Sequence, residues 1–251
     1  SKKKIFLYEK SNYLKKVQRK NIDDKSVQWI NNFDKINKGP VIFFGNEFFD
    51  AIPIKQFKKE RNLIYEKNYT FNSKFKVKEF FKKASKEDKK IIKSYSSLKN
   101  LKFIELPKYG LRELKKISNK ISQLKGCILI IDYGYLKSNN QDTLQSVIKH
   151  KKNNLLKNLG QADITAHVNF NLLFEFFSKN KLNVKDVITQ KQFLENLGIQ
   201  KRAEVVAKKM KFTEQANLYL RLKRLLSPNS MGNLFKVILA YKFNNNNFAG
   251  F

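Results

Sequence analysis

Asn46-Glu47-Phe48-Phe49-Asp50 places an amide and two carboxylates directly after the apolar run Val41-Ile42-Phe43-Phe44. A buried strand that opens at its carboxyl end into such a group is where open α/β sheets build ligand sites. The two carboxylates and the amide can grip a planar guanidinium in bidentate fashion, or hold an amine while its proton leaves. A structural reading competes, in which Asn46 or Glu47 only caps the free N–H groups of a helix starting at this elbow. Phe49 reads as core, and Phe48 either as core or as a ring against a ligand. Further on, Ile128-Leu129-Ile130-Ile131 runs into Asp132-Tyr133-Gly134 and repeats the arrangement of apolar strand and acidic tip. The glycine there permits a positive-φ turn or a close ligand approach, and a plain β-turn is the alternative. Asp163-Ile164-Thr165-Ala166-His167 adds a histidine suited to general-base work near neutral pH, or to simple hydrogen bonding in a loop. Glu9 ends another strand-like run, where an acid can accept hydrogen bonds from both hydroxyls of a ribose. Position alone favours an ordinary solvated glutamate.

The elements that carry these residues alternate in the first half. Ile5–Glu9 reads as a strand, and Ser11 caps a helix through about Asn21 with Tyr13, Leu14 and Val17 on one face. Val27–Ile30 and Val41–Phe44 read as strands, the second entered through Gly39-Pro40. Short alternating runs between 54 and 80 predict an inserted antiparallel ribbon. Phe103–Leu106 is a brief extended piece, and Pro107 precedes a helix over Tyr109–Leu124. Cys127–Asp132 is the next strand and Asp142–Lys149 another. The stretch from Gly160 to Phe170 reads as a polar loop. Helices are expected over Asn171–Lys179, Gln190–Leu197, Gln200–Lys209 and Thr213–Leu226, a helical elaboration spanning 171–227. Phe235–Tyr241 closes the chain as a strand. With no repeat and no linker, 1–251 reads as a single domain.

Composition narrows the class. The 251 residues contain 41% hydrophobic and 13% aromatic residues, enough for a real core. No apolar run approaches the roughly 18–20 residues of a membrane span, and the N-terminus has no signal-peptide pattern. One cysteine, Cys127, excludes an internal disulfide and fits a reducing compartment. Two separated histidines, His150 and His167, leave no visible zinc constellation, so no metal is expected. The net charge of +31 invites a nucleic-acid reading. The lysines are scattered through every segment rather than gathered in a block or motif, so no specific nucleic-acid partner is expected.

Taken together, GPVIFFGNEFFDAIPIKQF (39–57), FIELPKYGLRELKKI (103–117), ILIIDYGY (128–135), DTLQSVIKHKKNN (142–154), GQADITAHVNF (160–170), QFLENLGIQKR (192–202) and SPNSMGNLFKVI (227–238) resemble the MidA family of S-adenosylmethionine-dependent methyltransferases. The resemblance implies an α/β, Rossmann-like class I methyltransferase sheet, S-adenosylmethionine as cofactor and a protein substrate. In the family's mitochondrial branch that substrate is an arginine of a respiratory complex I subunit. It implies Asn46, Glu47 and Asp50 as catalytic residues beside the transferred methyl, and Glu9, Asn46 and Asp132 at the cofactor. Phe48, Tyr133, Gly134, Asp163, Thr165 and His167 would meet the substrate. The family's glycine-rich cofactor loop falls upstream of the segment resembling residues 5–18, so the fold is expected without its first strand and that loop. A bacterial-type cytoplasmic location, or a mitochondrial matrix one, follows from the same resemblance. The alternative is an assembly chaperone that holds a partner protein through this surface and performs no chemistry.

Overall fold

In a computed structural model, residues 4–71, 77–137, 140–149, 151–244 and 247–251 are described. His150 and the Phe75-Lys76 part of the expected ribbon lie outside them. The first elements are β1 (Ile5–Tyr8), α1 (Asn12–Asn21), β2 (Val27–Ile30), β3 (Val41–Asn46), β4 (Lys55–Glu60), β5 (Leu63–Phe71) and β6 (Val77–Lys83). Then come α2 (Lys86–Ser94), α3 (Ser96–Lys99), β7 (Phe103–Leu106), α4 (Lys108–Leu124), β8 (Gly126–Tyr135), β9 (Gln145–Ile148), β10 (Lys151–Asn153), β11 (Asp163–Thr165) and β12 (Val168–Asn169). The chain closes with α5 (Phe170–Lys179), β13 (Asn183–Val184), β14 (Ile188–Thr189), α6 (Gln190–Asn196), α7 (Ile199–Ala207), α8 (Phe212–Leu226), α9 (Met231–Leu234) and β15 (Phe235–Tyr241).

The strand β8 is the axis of the molecule. Its apolar run Ile128–Ile131 pairs in parallel with β3 on one edge, register Phe43↔Ile128, and antiparallel with β15 on the other, register Ile238↔Ile130. A run this uniformly apolar suits a strand covered on both faces. One face carries α4, whose Leu111, Leu114, Ile117 and Ile121 recur at helical spacing and are buried with Ile128, Ile130 and Ile238. The Phe-rich α5 joins the same core through Phe170, Phe176 and Phe177. On the opposite face Cys127, Leu239 and Tyr241 pack against Phe243, Phe248 and Phe251. Cys127 is thus an inert core residue, its thiol pushed up by burial.

The expected ribbon is present as β4, β5 and β6, and β7 joins it on the far side of β4, giving the order β6-β5-β4-β7. The buried carboxylate of Asp88 on α2 ties this sheet down. It takes Lys55 from β4 at 2.9 Å and Lys108 from α4 at 2.8 Å. Both α2 and α3 went unanticipated, although Ser85-Lys86-Glu87-Asp88 carries an N-cap signature: the Ser85 hydroxyl accepts the Asp88 N–H at 3.0 Å. Two further corrections concern the stretch read as a polar loop. Within 160–170 lie the short strands β11, paired with β9, and β12, paired with β8. They were illegible because two or three residues cannot show a period.

Ser11 does cap α1, accepting the Leu14 N–H at 3.2 Å. Its apolar stripe, however, faces outward, with Tyr13 73% exposed, and Lys15 is the residue that α1 buries. Among the described residues β1 pairs with β2 alone and β3 with β8 alone, so each presents an unpaired edge.

Candidate active site

The site is built where β3 and β8 end side by side. Pairing continues one residue past β3, the Glu47 N–H donating to the Ile131 carbonyl at 3.0 Å. Glu47 then takes a left-handed φ of 46°, which turns the chain sharply out of the sheet. No helix follows. Residues 47–52 form a tight turn, with Ile52 N–H bonded to the Phe49 carbonyl at 3.3 Å, before the chain enters β4. The helix-capping reading of Asn46 and Glu47 is therefore corrected: the N–H groups of this turn are capped from another strand.

That cap is Asp132. Its Oδ2 accepts the N–H groups of Phe48, Phe49 and Asp50 at 3.1, 2.8 and 3.3 Å, and its Oδ1 accepts the Tyr133 N–H at 2.9 Å. The side chain is wholly buried. Burial, reinforced by the nearby Asp50 charge, raises its carboxyl to about 7 despite the opposing N–H bonds. Expected at the cofactor, Asp132 lies under the elbow with both oxygens occupied by backbone N–H groups.

Above it opens a cleft of about 550 Å³. Of the residues proposed from sequence, Glu47, Asp50, Tyr133, Asp163, Thr165 and His167 line it. Asp50 is the focal group. It is 7% exposed, and its Oδ1 is buried without a hydrogen-bond partner among the described residues. A buried acceptor left unmade costs about 1–3 kcal/mol, so it marks a place where a donor belongs. The Tyr133 phenol stands beside the Asp50 carboxyl, with Thr165 and Gln145 on its other side. Burial raises the Asp50 carboxyl, the Tyr133 phenol opposes this, and the Asp163 charge adds to the rise. Burial likewise pushes the Tyr133 phenol up to about 12. His167 packs edge-on against the Tyr133 ring, centroids 5.2 Å apart. Burial, with the Lys236 ammonium nearby, pushes its imidazole below the usual histidine range.

The far wall is held by a chain of hydrogen bonds that the sequence reading missed. Glu105, buried in β7, accepts Gln56 Nε2 at 2.9 Å and the Thr143 hydroxyl at 2.5 Å, and Thr143 Oγ1 accepts the His167 N–H at 3.0 Å. The Ala166 N–H completes the wall on the Asp50 carbonyl at 3.0 Å. An acid between Ile104 and Leu106 in an otherwise apolar strand was the available signal. Gln145, Leu234 and Phe235 also line the cleft and went unnamed, because nothing local distinguishes them.

Besides Asp132, four proposed residues lie outside the cleft. Asn46 is exposed at the tip of β3 and Phe48, 40% exposed, packs edge-on against Phe49; neither lines the cleft. Glu9 sits beyond the end of β1, its Oε1 accepting the Ser11 N–H at 2.7 Å. Gly134 is a strand residue rather than part of a turn. A Cβ there would lie 2.0 Å from the Val168 carbonyl oxygen, so glycine is what lets β12 approach β8. Gly134→Ala is expected to destabilise the protein by about 2–3 kcal/mol, since the clash is with backbone. An unchanged urea midpoint would contradict the β8–β12 register.

Comparison with known proteins places this architecture. A family profile described as "Putative S-adenosyl-L-methionine-dependent methyltransferase" matches residues 1–188. The mitochondrial protein arginine methyltransferase NDUFAF7 of Danio rerio is 26% identical over 210 residues, covering 84% of this chain and 49% of the relative. The Caenorhabditis elegans homologue is 27% identical over 223 residues, with 84% and 50% covered. The chain thus spans about half the length of these curated relatives. A Burkholderia thailandensis protein crystallised with S-adenosyl-homocysteine superposes with a TM-score of 0.79 at 18% identity, covering 98% of this chain and 66% of that one. A second Burkholderia thailandensis crystal structure gives 0.81 at 19% identity, covering 99% and 68%. These likenesses establish the fold as the Rossmann-like α/β fold of those two proteins. The family match spans well over half of the chain, and the protein belongs to this S-adenosylmethionine-dependent methyltransferase family.

Proposed function

We propose that the protein transfers a methyl group from S-adenosylmethionine to an arginine side chain of a partner protein, a respiratory complex I subunit being the favoured acceptor. The observation that carries this reading is the unpartnered Oδ1 of Asp50, buried at the base of a cleft that Glu47 and Asp163 also line. A guanidinium presents several N–H donors in one plane and stays charged at any physiological pH, which matches carboxylates set in a concave site. Acidic lining is the more telling in a chain of net charge +31. The relatives named as protein arginine methyltransferases support the same acceptor chemistry. A cytoplasmic or mitochondrial matrix location goes with this proposal.

The residues at the strand tips fit the cofactor. Glu9 presents a half-buried carboxylate for the ribose hydroxyls, with Oε1 already committed to Ser11, and Asn46 offers an exposed amide at the end of β3. S-adenosylmethionine, when bound, supplies an electrophilic methyl on a sulfonium. Asp50 and Glu47 would hold the guanidinium so that one nitrogen lone pair faces that methyl, in line at about 3–3.5 Å. Tyr133 flanks the Asp50 carboxylate. Asp50 would take the proton that leaves this nitrogen, through its open Oδ1, as the methyl's bond to sulfur is exchanged for one to nitrogen. His167 and Asp163 shape the outer wall, and the reaction needs no metal.

The test is transfer of labelled methyl to matched peptides that differ only in arginine or lysine at one position. Arginine is expected to be labelled and lysine not. Lysine-only labelling would overturn the acceptor assignment.

A further inference from the structure

Asp132 is the one fully buried acid at the strand tips that the proposed chemistry leaves without a task. Its carboxylate reaches from β8 to three consecutive N–H groups of the 48–50 turn, residues 82 to 84 positions away in sequence. The turn is the segment that presents Asp50. Its neighbour Tyr133 stands beside the Asp50 carboxyl, so adjacent residues of β8 flank Asp50 and one of them bonds its backbone N–H. The Asp50 carbonyl in turn carries the Ala166 N–H, which links the same anchor to the wall bearing Thr165 and His167. A left-handed Glu47 begins the turn, and a turn started from that conformation relaxes unless its surroundings fix it.

We propose that Asp132 is the positioning residue of the acceptor site: its carboxylate, seated on the N–H groups of Phe48, Phe49 and Asp50, fixes the orientation in which Asp50 Oδ1 meets the incoming guanidinium. This rests on the acceptor reading above and adds a residue that touches neither substrate nor cofactor. A carboxylate suits the task because both oxygens accept: one takes the three turn N–H groups and the other Tyr133 N–H. In Asp132→Asn one of those sides must face an NH₂ group, so donors confront donors. The surviving bonds also lose their charge assistance. The ionisable groups around it are Asp50 and Glu47 on the turn, Tyr133 beside it, Lys236 in register on β15, and Asp163 and His167 on the facing wall. With its carboxyl near 7, Asp132 gains charge as pH rises through neutrality, and its hold on the turn strengthens in that direction.

The experiment combines amide NMR with titration of N-acetyl-arginine methylamide as the probe. In the wild type, the Phe48, Phe49 and Asp50 amide protons should shift together in one titration near pH 7, and probe affinity should rise over the same range. In Asp132→Asn that step should vanish. The three amides should exchange at least about tenfold faster, and probe affinity should fall about tenfold, while Ile128 and Ile130 in β8 keep their protection. Wild-type Phe48, Phe49 and Asp50 amides that exchange as fast as unbonded loop amides overturn the proposal without any variant having to fold. So does an Asp132→Asn protein that binds the probe within twofold of wild type. If the wild type binds no probe while its amides titrate as expected, the anchoring of the turn stands and the arginine reading falls.

Discussion

Methyl transfer by Asp50→Asn is expected to fall about 10²–10³-fold in kcat/KM, the loss typical of removing one preorganised electrostatic group from a reacting centre. At about 1.4 kcal/mol per tenfold, this corresponds to roughly 3–4 kcal/mol of transition-state stabilisation. The substitution is isosteric at a position that is 7% exposed, so the fold should tolerate it. It replaces an orphan acceptor with an amide that can turn its NH₂ toward the guanidinium. Glu47→Gln should cost less, about tenfold, because that side chain is exposed and screened by solvent. Steady-state transfer to the arginine peptide, with circular dichroism to establish folding, measures both. Rates within threefold of wild type for a folded Asp50→Asn protein would remove Asp50 from the chemistry. The chaperone alternative makes a different forecast: no labelling by the wild type on any peptide, and partner capture that both substitutions leave intact.

Joining the strand and glycine-rich turn expected of the family ahead of Ile5 should raise the affinity of these 251 residues for S-adenosylmethionine, or its product S-adenosyl-homocysteine, by at least about 100-fold. Gaining two charge-assisted backbone donors to the cofactor's carboxylate end accounts for about 3 kcal/mol or more. The free edges of β1 and β3 lie over one helix layer, Tyr8 donating to Glu113 of α4 at 3.0 Å. Phe33 packs between them, 4.7 Å from the ring of Tyr8 and 5.6 Å from that of Phe43. Beside this gap Ile42 is 78% exposed and Phe44 65%, on a strand whose pattern calls for cover on both faces. Calorimetry with S-adenosyl-homocysteine decides the matter: micromolar affinity for the 251-residue polypeptide alone would refute the expectation, and recovery in the grafted version would support it.

Much of the site was legible because its residues sit where an apolar run stops. Val41–Phe44 and Ile128–Ile131 announce buried strands, and acids immediately after them can only occupy strand tips. The pairing of Glu47 N–H with Ile131 brings those tips together as expected. What misled was chemical type without context. Asp132 and Asp50 are the same side chain after similar strands, yet one is saturated by backbone N–H groups and the other keeps an open oxygen. Gly134 looked like a turn glycine because local sequence cannot show a strand arriving from residue 168. Glu105 and Thr143 were passed over because their task, holding His167 in the wall, exists only once β7 and the 163–167 segment are adjacent.

By itself the sequence determined the class of fold, the strands that end in acid, and the helices whose apolar residues recur at a helical period. Those properties are local, set by side chains within a few residues of one another. Only the tertiary structure decided which acid reaches the cleft and which is spent beneath it. That choice depends on which backbone donors lie within about 3 Å of a carboxylate, a matter of residues more than eighty positions apart.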